Sequence, residues 1–225
     1  MEFPPTLCIN LAKRVDRLEL LQKEFVKWPV PVERVEAITA TSGWEGCTLS
    51  HRKCIQIAKD RNYPWVLILE DDCKLTEDGM ERFTSLLPTL WEKRNEFDVF
   101  IGGPIFFTRE ILRSVVPPLI ELNGKTTHFC LIPSHKYDQV LRDIQMTYAV
   151  FVIDHYYCRN FRVWVTYPHL AIQYESKSDI RNKENKSVTI FGDAEKLLLE
   201  FIKTGEQVYH IEEYDLERWK DLDIA

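Results

Sequence analysis

No apolar run in this 225-residue chain approaches the roughly 20 residues that a membrane-spanning helix needs. There is no basic block either, and the net charge is −6, so nucleic acid is not the main partner to expect. Six cysteines occur, at positions 8, 47, 54, 73, 130 and 158, but none forms a CxxC pair, which counts against a structural zinc site. Their spacing shows no disulfide framework. Cys8, Cys47, Cys54 and Cys130 sit within apolar patterns, where a free cysteine behaves as a small hydrophobe. The opening Met1-Glu2-Phe3-Pro4-Pro5 lacks the charged-then-apolar pattern of a secretion signal. Reduced thiols and a cytoplasmic location are the expectation. Neither an internal repeat nor a long linker interrupts the chain. One domain over residues 1–205, followed by an acidic segment over 206–225, is the simplest division.

What the chain does have is an alternation of strand and helix patterns, which points to an α/β domain. Thr6 to Leu11 reads as a first strand. Asp16 is placed to cap the helix after it, with Glu19 completing a capping box, and Leu18, Leu21, Phe25 and Trp28 share one face. Val32 to Ile38 reads as a second strand, and Cys47 to Asn62 as a helix with Cys47, Cys54, Ile55 and Ala58 inward. Met80, Phe83, Leu86, Leu87 and Leu90 form a further helical stripe. Asp98 to Ile101 is a short strand that runs into the loop Gly102-Gly103-Pro104. Thr127 to Ile132 is a strand, with Ser134 capping a helix that reaches about Met146. Asp154 to Asn160 reads as a short helix, Phe161 to Thr166 as a strand, and Ala194 to Thr204 as a helix stopped by Gly205.

One strand stands apart. Trp65-Val66-Leu67-Ile68-Leu69 is a run for burial on both faces, and it ends in Glu70-Asp71-Asp72. Three carboxylates this close repel one another unless a cation sits among them. Ligands in open α/β sheets bind beyond the carboxyl ends of strands, and hard oxygen ligands there suit Mg²⁺ or Mn²⁺ shared with substrate phosphates. Acids after a strand also open ordinary turns and cap helices, and that reading stands beside the first.

Three further segments matter. Asn10 to Arg17 places Arg14 and Arg17 just after the first strand, where a nucleotide is often held. Gly46-Cys47-Thr48-Leu49-Ser50-His51 sets His51 four residues after Cys47 and three before Cys54, hence inward with the apolar stripe. Pro168 to Gln173 leads into Ser176-Lys177-Ser178-Asp179-Ile180. Solvated arginines, a core histidine and a polar loop are the plain accounts of these segments taken singly.

Taken together and in this order, the segments resemble glycosyltransferase family 25, which includes lipooligosaccharide galactosyltransferases and collagen hydroxylysine glycosyltransferases. The NLxxRxDR run matches Asn10 to Arg17, GCxxSH matches Gly46 to His51, and the apolar strand with EDD matches Val66 to Asp72. Weaker matches follow at Thr127 to Ile132, Ile153-Asp154, Pro168 to Gln173 and Ser178-Asp179-Ile180, so the resemblance covers about residues 6 to 181. His128 and Phe129 replace a usual Gly-Tyr, and Pro133 a common Ser; these departures are expected in the acceptor-facing half.

The resemblance implies a glycosyltransferase-A fold: a Rossmann-like, mixed and mostly parallel central sheet flanked by helices, binding a UDP-sugar and Mn²⁺ or Mg²⁺. It makes Asp72 the first metal ligand, with Glu70 or Asp71 as the second. Asn10, Leu11, Arg14, Arg17, Ser50, His51, Asp71, Gln173 and Ser178 fall to the nucleotide-sugar side. Inversion requires a base for the acceptor hydroxyl, and Asp154 matches that position. The acceptor would be a glycan or hydroxylysine in a collagen-like chain. Lys177, Arg181, Lys183 and Lys186 lie in a polar loop, 176–187, that would close over the pyrophosphate or simply be a solvated surface excursion. Trp164, Tyr167 and Tyr174 offer stacking faces for sugars, although aromatics at such positions are more often core.

Two rival readings differ in class. A phosphoreceiver domain also ends a hydrophobic strand in EDD around Mg²⁺, but it needs a phosphoacceptor Asp after a later strand, and the strand from Asp98 ends in Gly102-Gly103-Pro104. A catalytically silent family member, acting as a glycan- or protein-binding module, would be expected to have lost the acids, and all three are present.

Overall fold

A computed structural model describes residues 2–145, 152–174 and 187–204. In chain order the elements are β1 (Thr6–Asn10), α1 (Val15–Glu24), β2 (Val32–Glu36), α2 (Gly43–Asp60), β3 (Trp65–Glu70), β4 (Cys73–Leu75), α3 (Gly79–Glu92), β5 (Val99–Ile101), β6 (Phe106–Val116) and β7 (Leu119–Lys125). They continue with β8 (Phe129–Pro133), α4 (Tyr137–Asp143), α5 (Ile153–Asn160), β9 (Val163–Thr166), β10 (Ala171–Gln173) and α6 (Ser187–Thr204).

Eight strands form one sheet in the order β2-β1-β3-β8-β5-β9-β7-β6. The pairing directions set β2, β1, β3, β5, β9 and β6 one way and β8 and β7 the other, so the sheet is mixed and mostly parallel, as expected. A separate two-stranded antiparallel sheet joins β4 to β10, opposing Gln173 to Cys73 and Ala171 to Leu75.

The run in β3 is buried on both faces because strand side chains alternate. Val66 and Ile68 enter the core shared with Cys54, Ile55 and Ala58 of α2 and with Tyr156 and Tyr157 of α5. Trp65, Leu67 and Leu69 enter the opposite core, with Leu21 of α1 and Phe83, Leu87 and Leu90 of α3. Each such fully buried side chain contributes about 1.5–3 kcal/mol relative to exposure. A polar substitution in β3 would therefore break two cores at once. Ile9 of β1 lies opposite Glu70, and Leu69 opposite Phe129. The end of β1, the acids after β3 and the approach to β8 thus meet at one edge of the sheet.

Several boundaries depart from the sequence pattern. Asp16 does not cap α1. Arg14 occupies the cap position without a side-chain cap bond, and Asp16 sits in the first turn with its carboxylate on the Arg14 guanidinium. Helix α2 starts at Gly43 rather than near Cys47, because the Ser42 hydroxyl accepts from the Glu45 N–H and caps it. Gly46 then lies in its first turns, where a Cβ would stand 2.5 Å from the Ile38 carbonyl oxygen. Ser134 opens a single 3₁₀ turn before α4 instead of capping it, and α6 begins at Ser187, well before Ala194. The β6–β7 hairpin and the β4–β10 ladder carry no signal in the sequence pattern. The loop 176–187 (up to Ser187), Gly205 and the acidic segment 206–225 lie outside the described residues.

His128, Phe129 and Pro133, the departures expected in the acceptor-facing half, are core residues. All three are buried: Phe129 packs edge-on against Phe83 and Trp28, and His128 edge-on against Phe191. They belong to the core because β8 runs between β3 and β5 in the middle of the sheet. Trp164 is likewise core, with its indole N–H donating to Glu121 at 3.2 Å. All six cysteines are free. Among the described residues, no helix is long and apolar enough to cross a membrane.

Candidate active site

The three carboxylates after Leu69 diverge. Asp71 is almost buried, and both its oxygens are engaged: Asn10 Nδ2 donates to Oδ2 at 2.8 Å and Arg17 Nη1 to Oδ1 at 2.8 Å. Asn10 is itself a hub, since Nδ2 also donates to the Arg14 carbonyl at 2.9 Å and Oδ1 accepts from Arg34 at 2.9 Å. Its own carbonyl accepts from the Ala37 N–H, and the Leu11 carbonyl from the Arg14 N–H, so both carbonyls hold the chain's turns. Burial raises the Asp71 carboxyl above its usual range, against the opposing pull of Arg17 and Asn10.

Asp72 has less support. Arg17 Nη1 lies 3.6 Å from Oδ2, and the Gln173 side-chain amide reaches both oxygens at 3.3 and 3.4 Å. The Tyr174 N–H donates to the Asp72 carbonyl at 2.8 Å, extending the β4–β10 ladder past the acid and fixing its backbone. Burial, and then the Glu70 charge, push the Asp72 carboxyl up to about 7, with Arg17 pulling the other way. A carboxylate in this state gains from any cation brought beside it.

Glu70 faces helix α2. Its Oε1 accepts from the Thr127 hydroxyl, lies 3.4 Å from His51 Nε2, and stands 4.0 Å from Cys47 Sγ. Burial alone would raise it, but the hydrogen bond and charge of His51 together with Thr127 bring it below its usual value. His51 is fully buried and its Nδ1 has no hydrogen-bond partner, so the contact with Glu70 is the ring's polar anchor. Burial and the charges of Glu70, Asp154 and Asp72 raise the Cys47 thiol far above its ordinary value.

Asp154 occupies the second position of α5, part-exposed, with Oδ1 accepting from the His155 N–H at 2.8 Å. Burial raises its carboxyl; His155 and Lys125 lower it, and the Glu70 charge raises it, so Asp154 belongs to the same electrostatic neighbourhood as the acids of β3. Ser50 stands apart. Its hydroxyl donates to the Gly46 carbonyl at 2.6 Å and accepts from the Ile38 N–H at 2.8 Å, fastening α2 to the loop after β2. Arg14 is held by Asp16, with Nε–Oδ1 at 3.0 Å and Nη2–Oδ2 at 2.9 Å. Ser178 lies outside the described residues.

The structure thus brings Asn10, Arg17, Asp71, Asp72 and Gln173 into one network, and joins Glu70 to His51. Thr127 and Cys47 complete the second group, and sequence reasoning gave neither a site role. Thr127 stands in the sequence only as the start of a strand and of a weaker family match. Cys47 was legible in principle, since a Cys four residues before a His shares its helix face.

The hard-oxygen set fits a divalent cation: the Glu70 charge bears on Asp72, and among the described residues a single guanidinium, that of Arg17, faces the acids.

The family model for glycosyltransferase family 25 (LPS biosynthesis protein) matches residues 40–102. No curated protein matches the chain. Among solved structures, A197 from STIV aligns with a TM-score of 0.51 at 13% identity, covering 77% of this chain and 87% of that one, a likeness of fold. A glycosyltransferase involved in the glycosylation of the major capsid of PBCV-1 aligns with a TM-score of 0.41 at 12% identity, over 62% of this chain and 64% of that one. Residues 40–102, the segment that holds Ser50, His51 and all three carboxylates, are thus where the chain is similar to glycosyltransferase family 25.

Proposed function

We propose that the protein transfers a hexose, with inversion, from a UDP-sugar to a hydroxyl of a glycan or of hydroxylysine in a collagen-like protein, and that it needs Mn²⁺ or Mg²⁺. The observation that carries this reading is Asp72, buried beside Glu70 with, among the described residues, one guanidinium for relief, and pushed up to about 7. That arrangement is costly for the isolated protein and favourable once a cation is present.

Asp72 and Glu70 would hold the cation, which supplies charge neutralisation for the departing diphosphate. Asp71 acts differently in this scheme. Bound by Asn10 and Arg17, it sets the backbone between the two ligands and keeps Arg17 in place. Gln173 orients the Asp72 carboxylate from the opposite strand. Arg14 would exchange Asp16 for a donor phosphate, a swap made easy because Asp16 is mostly solvent-exposed. Asp154 would accept the proton of the acceptor hydroxyl as the glycosidic bond forms. A part-buried carboxyl with a raised pKa is a better proton acceptor than an exposed one. Ser178 and the loop around it would cover the pyrophosphate.

The test is turnover. Purified protein is supplied with UDP-galactose, UDP-glucose or UDP-N-acetylglucosamine and Mn²⁺, and released UDP is measured with and without hydroxylysine peptides or glycan acceptors. UDP release that needs both Mn²⁺ and an acceptor supports the reading. Binding of a glycan or protein with no release from any donor would favour a silent binding module instead.

A further inference from the structure

Cys47, His51 and Glu70 place one ligand atom each within 4.8 Å of one another, and among the described residues they are the one such group. Two of the three come from a single helix at i and i+4, so α2 presents them together without loop closure. The third projects from the end of β3. The spacings resemble those around a tetrahedral ion. With Zn–S near 2.3 Å and Zn–N or Zn–O near 2.0–2.2 Å, neighbouring ligand atoms stand about 3.3–3.8 Å apart. The observed values are 3.4 Å from His51 Nε2 to Glu70 Oε1 and 4.0 Å from Cys47 Sγ to the same oxygen. His51 is fully buried, whereas Cys47 and Glu70 are partly exposed, which gives an ion a way in.

We propose that Cys47, His51 and Glu70 form a Zn²⁺ site, distinct in chemistry from the hard-oxygen position at Asp72. A thiolate and an imidazole are soft-to-borderline ligands that favour Zn²⁺ over Mg²⁺ and Mn²⁺. On binding, the Cys47 thiol releases its proton to solvent and forms the metal–sulfur bond. His51 binds through Nε2 with its proton on Nδ1, Glu70 exchanges the His51 contact for the ion, and water takes the fourth position. Because Glu70 is common to both positions, Zn²⁺ bound here withdraws one carboxylate from the Asp72 cluster, and excess Zn²⁺ should oppose Mn²⁺.

Cobalt gives the direct test, because Co²⁺ takes zinc sites and a thiolate ligand produces an intense near-ultraviolet charge-transfer band. Metal-free protein is titrated with Co²⁺ and then with Zn²⁺, for wild type and for Cys47→Ser, His51→Gln and Asp72→Asn. The proposal expects the band in wild type and in Asp72→Asn, its displacement by Zn²⁺ but not by Mn²⁺, and its loss in Cys47→Ser. His51→Gln should weaken Co²⁺ binding by roughly tenfold or more, since a ligand is lost. Circular dichroism of each variant separates ligand loss from misfolding. No band in wild type, a band that survives Cys47→Ser, or a band lost in Asp72→Asn would overturn the proposal. Because no nucleotide or sugar is present, this result is independent of whether the protein turns over a donor.

Discussion

Two aspartates with similar burial lie at opposite ends of the sheet. Asp98 precedes β5 and is 4% exposed; Asp72 follows β3 and is 6% exposed. Asp98 is ringed by hydrogen-bond donors and two cations. Arg162 reaches it through its guanidinium at 3.0 Å and its backbone N–H at 2.9 Å, with His135 at 3.2 Å and Lys136 at 3.3 Å. Burial alone would raise its carboxyl, yet those bonds and charges hold it at about 2. Asp72, with two acids as neighbours and, among the described residues, a single guanidinium at 3.6 Å, stands at about 7. Burial is shared, so the difference comes from the neighbours. Asp98 is a satisfied structural anchor. Asp72 is an incomplete site that a cation would complete, and the two should answer opposite experiments.

The largest expected effect is chemical. Asp72→Asn should reduce Mn²⁺-dependent UDP release by more than about a thousandfold, because the ion's charge stabilisation amounts to several kcal/mol. Asp98→Asn should leave turnover within a few-fold, which a side-by-side assay checks. Stability comes next and reverses the order. Asp98→Asn removes the charge partner of Arg162 and Lys136 and should cost about 2–4 kcal/mol in urea unfolding, below the about 3–5 kcal/mol of a fully buried pair because Arg162 is 46% exposed. Asp72→Asn removes like-charge repulsion and should be neutral or stabilising at pH 8.

The pH dependence separates the two further. The folded pKa of Asp98 is depressed from 3.8 to about 2, so its contribution is present above pH 4 and is lost as pH falls through 2. That of Asp72 is raised from 3.8 to about 7. The folded state then holds the proton that the unfolded state has released, and stability declines as pH rises from 4 through 7. Metal-free unfolding curves should show that decline in wild type and lose it in Asp72→Asn. A third pair, Glu33 with Arg61, is a control. Both side chains are more than two-fifths exposed, and Glu33→Gln should leave the unfolding midpoint unchanged within the error of the scan.

Much of this contrast was legible in the sequence at one end of the sheet only. The β3 run and its acids announced themselves because a strand buried on both faces has no polar positions, so the change at Glu70 is abrupt. The inward placement of His51 followed from helical spacing with Cys54. Asp98 was read only as the start of a strand, since its partners lie far along the chain, at 135, 136 and 162, and no local pattern joins them. The β6–β7 hairpin and the β4–β10 ladder were missed for a related reason: β4 and β10 have three residues each, and their pairing is set by tertiary contact. Gly102 and Gly103 read correctly as a loop, but not their purpose. A Cβ at Gly103 would lie 1.9 Å from the Ala171 carbonyl oxygen, so only glycine lets β10 approach. The burial of His128 and Phe129 comes from the position of β8 inside the sheet, which no local pattern shows.

The most direct measurement is the thermal midpoint of wild type and Asp72→Asn at pH 7 with UDP alone, Mn²⁺ alone and both together. A ligand that binds only the folded state raises the midpoint. The account predicts a clear rise in wild type with UDP and Mn²⁺ together, little with UDP alone, and none in Asp72→Asn under any condition. A rise with UDP that ignores Mn²⁺, or one that persists in Asp72→Asn, would contradict it.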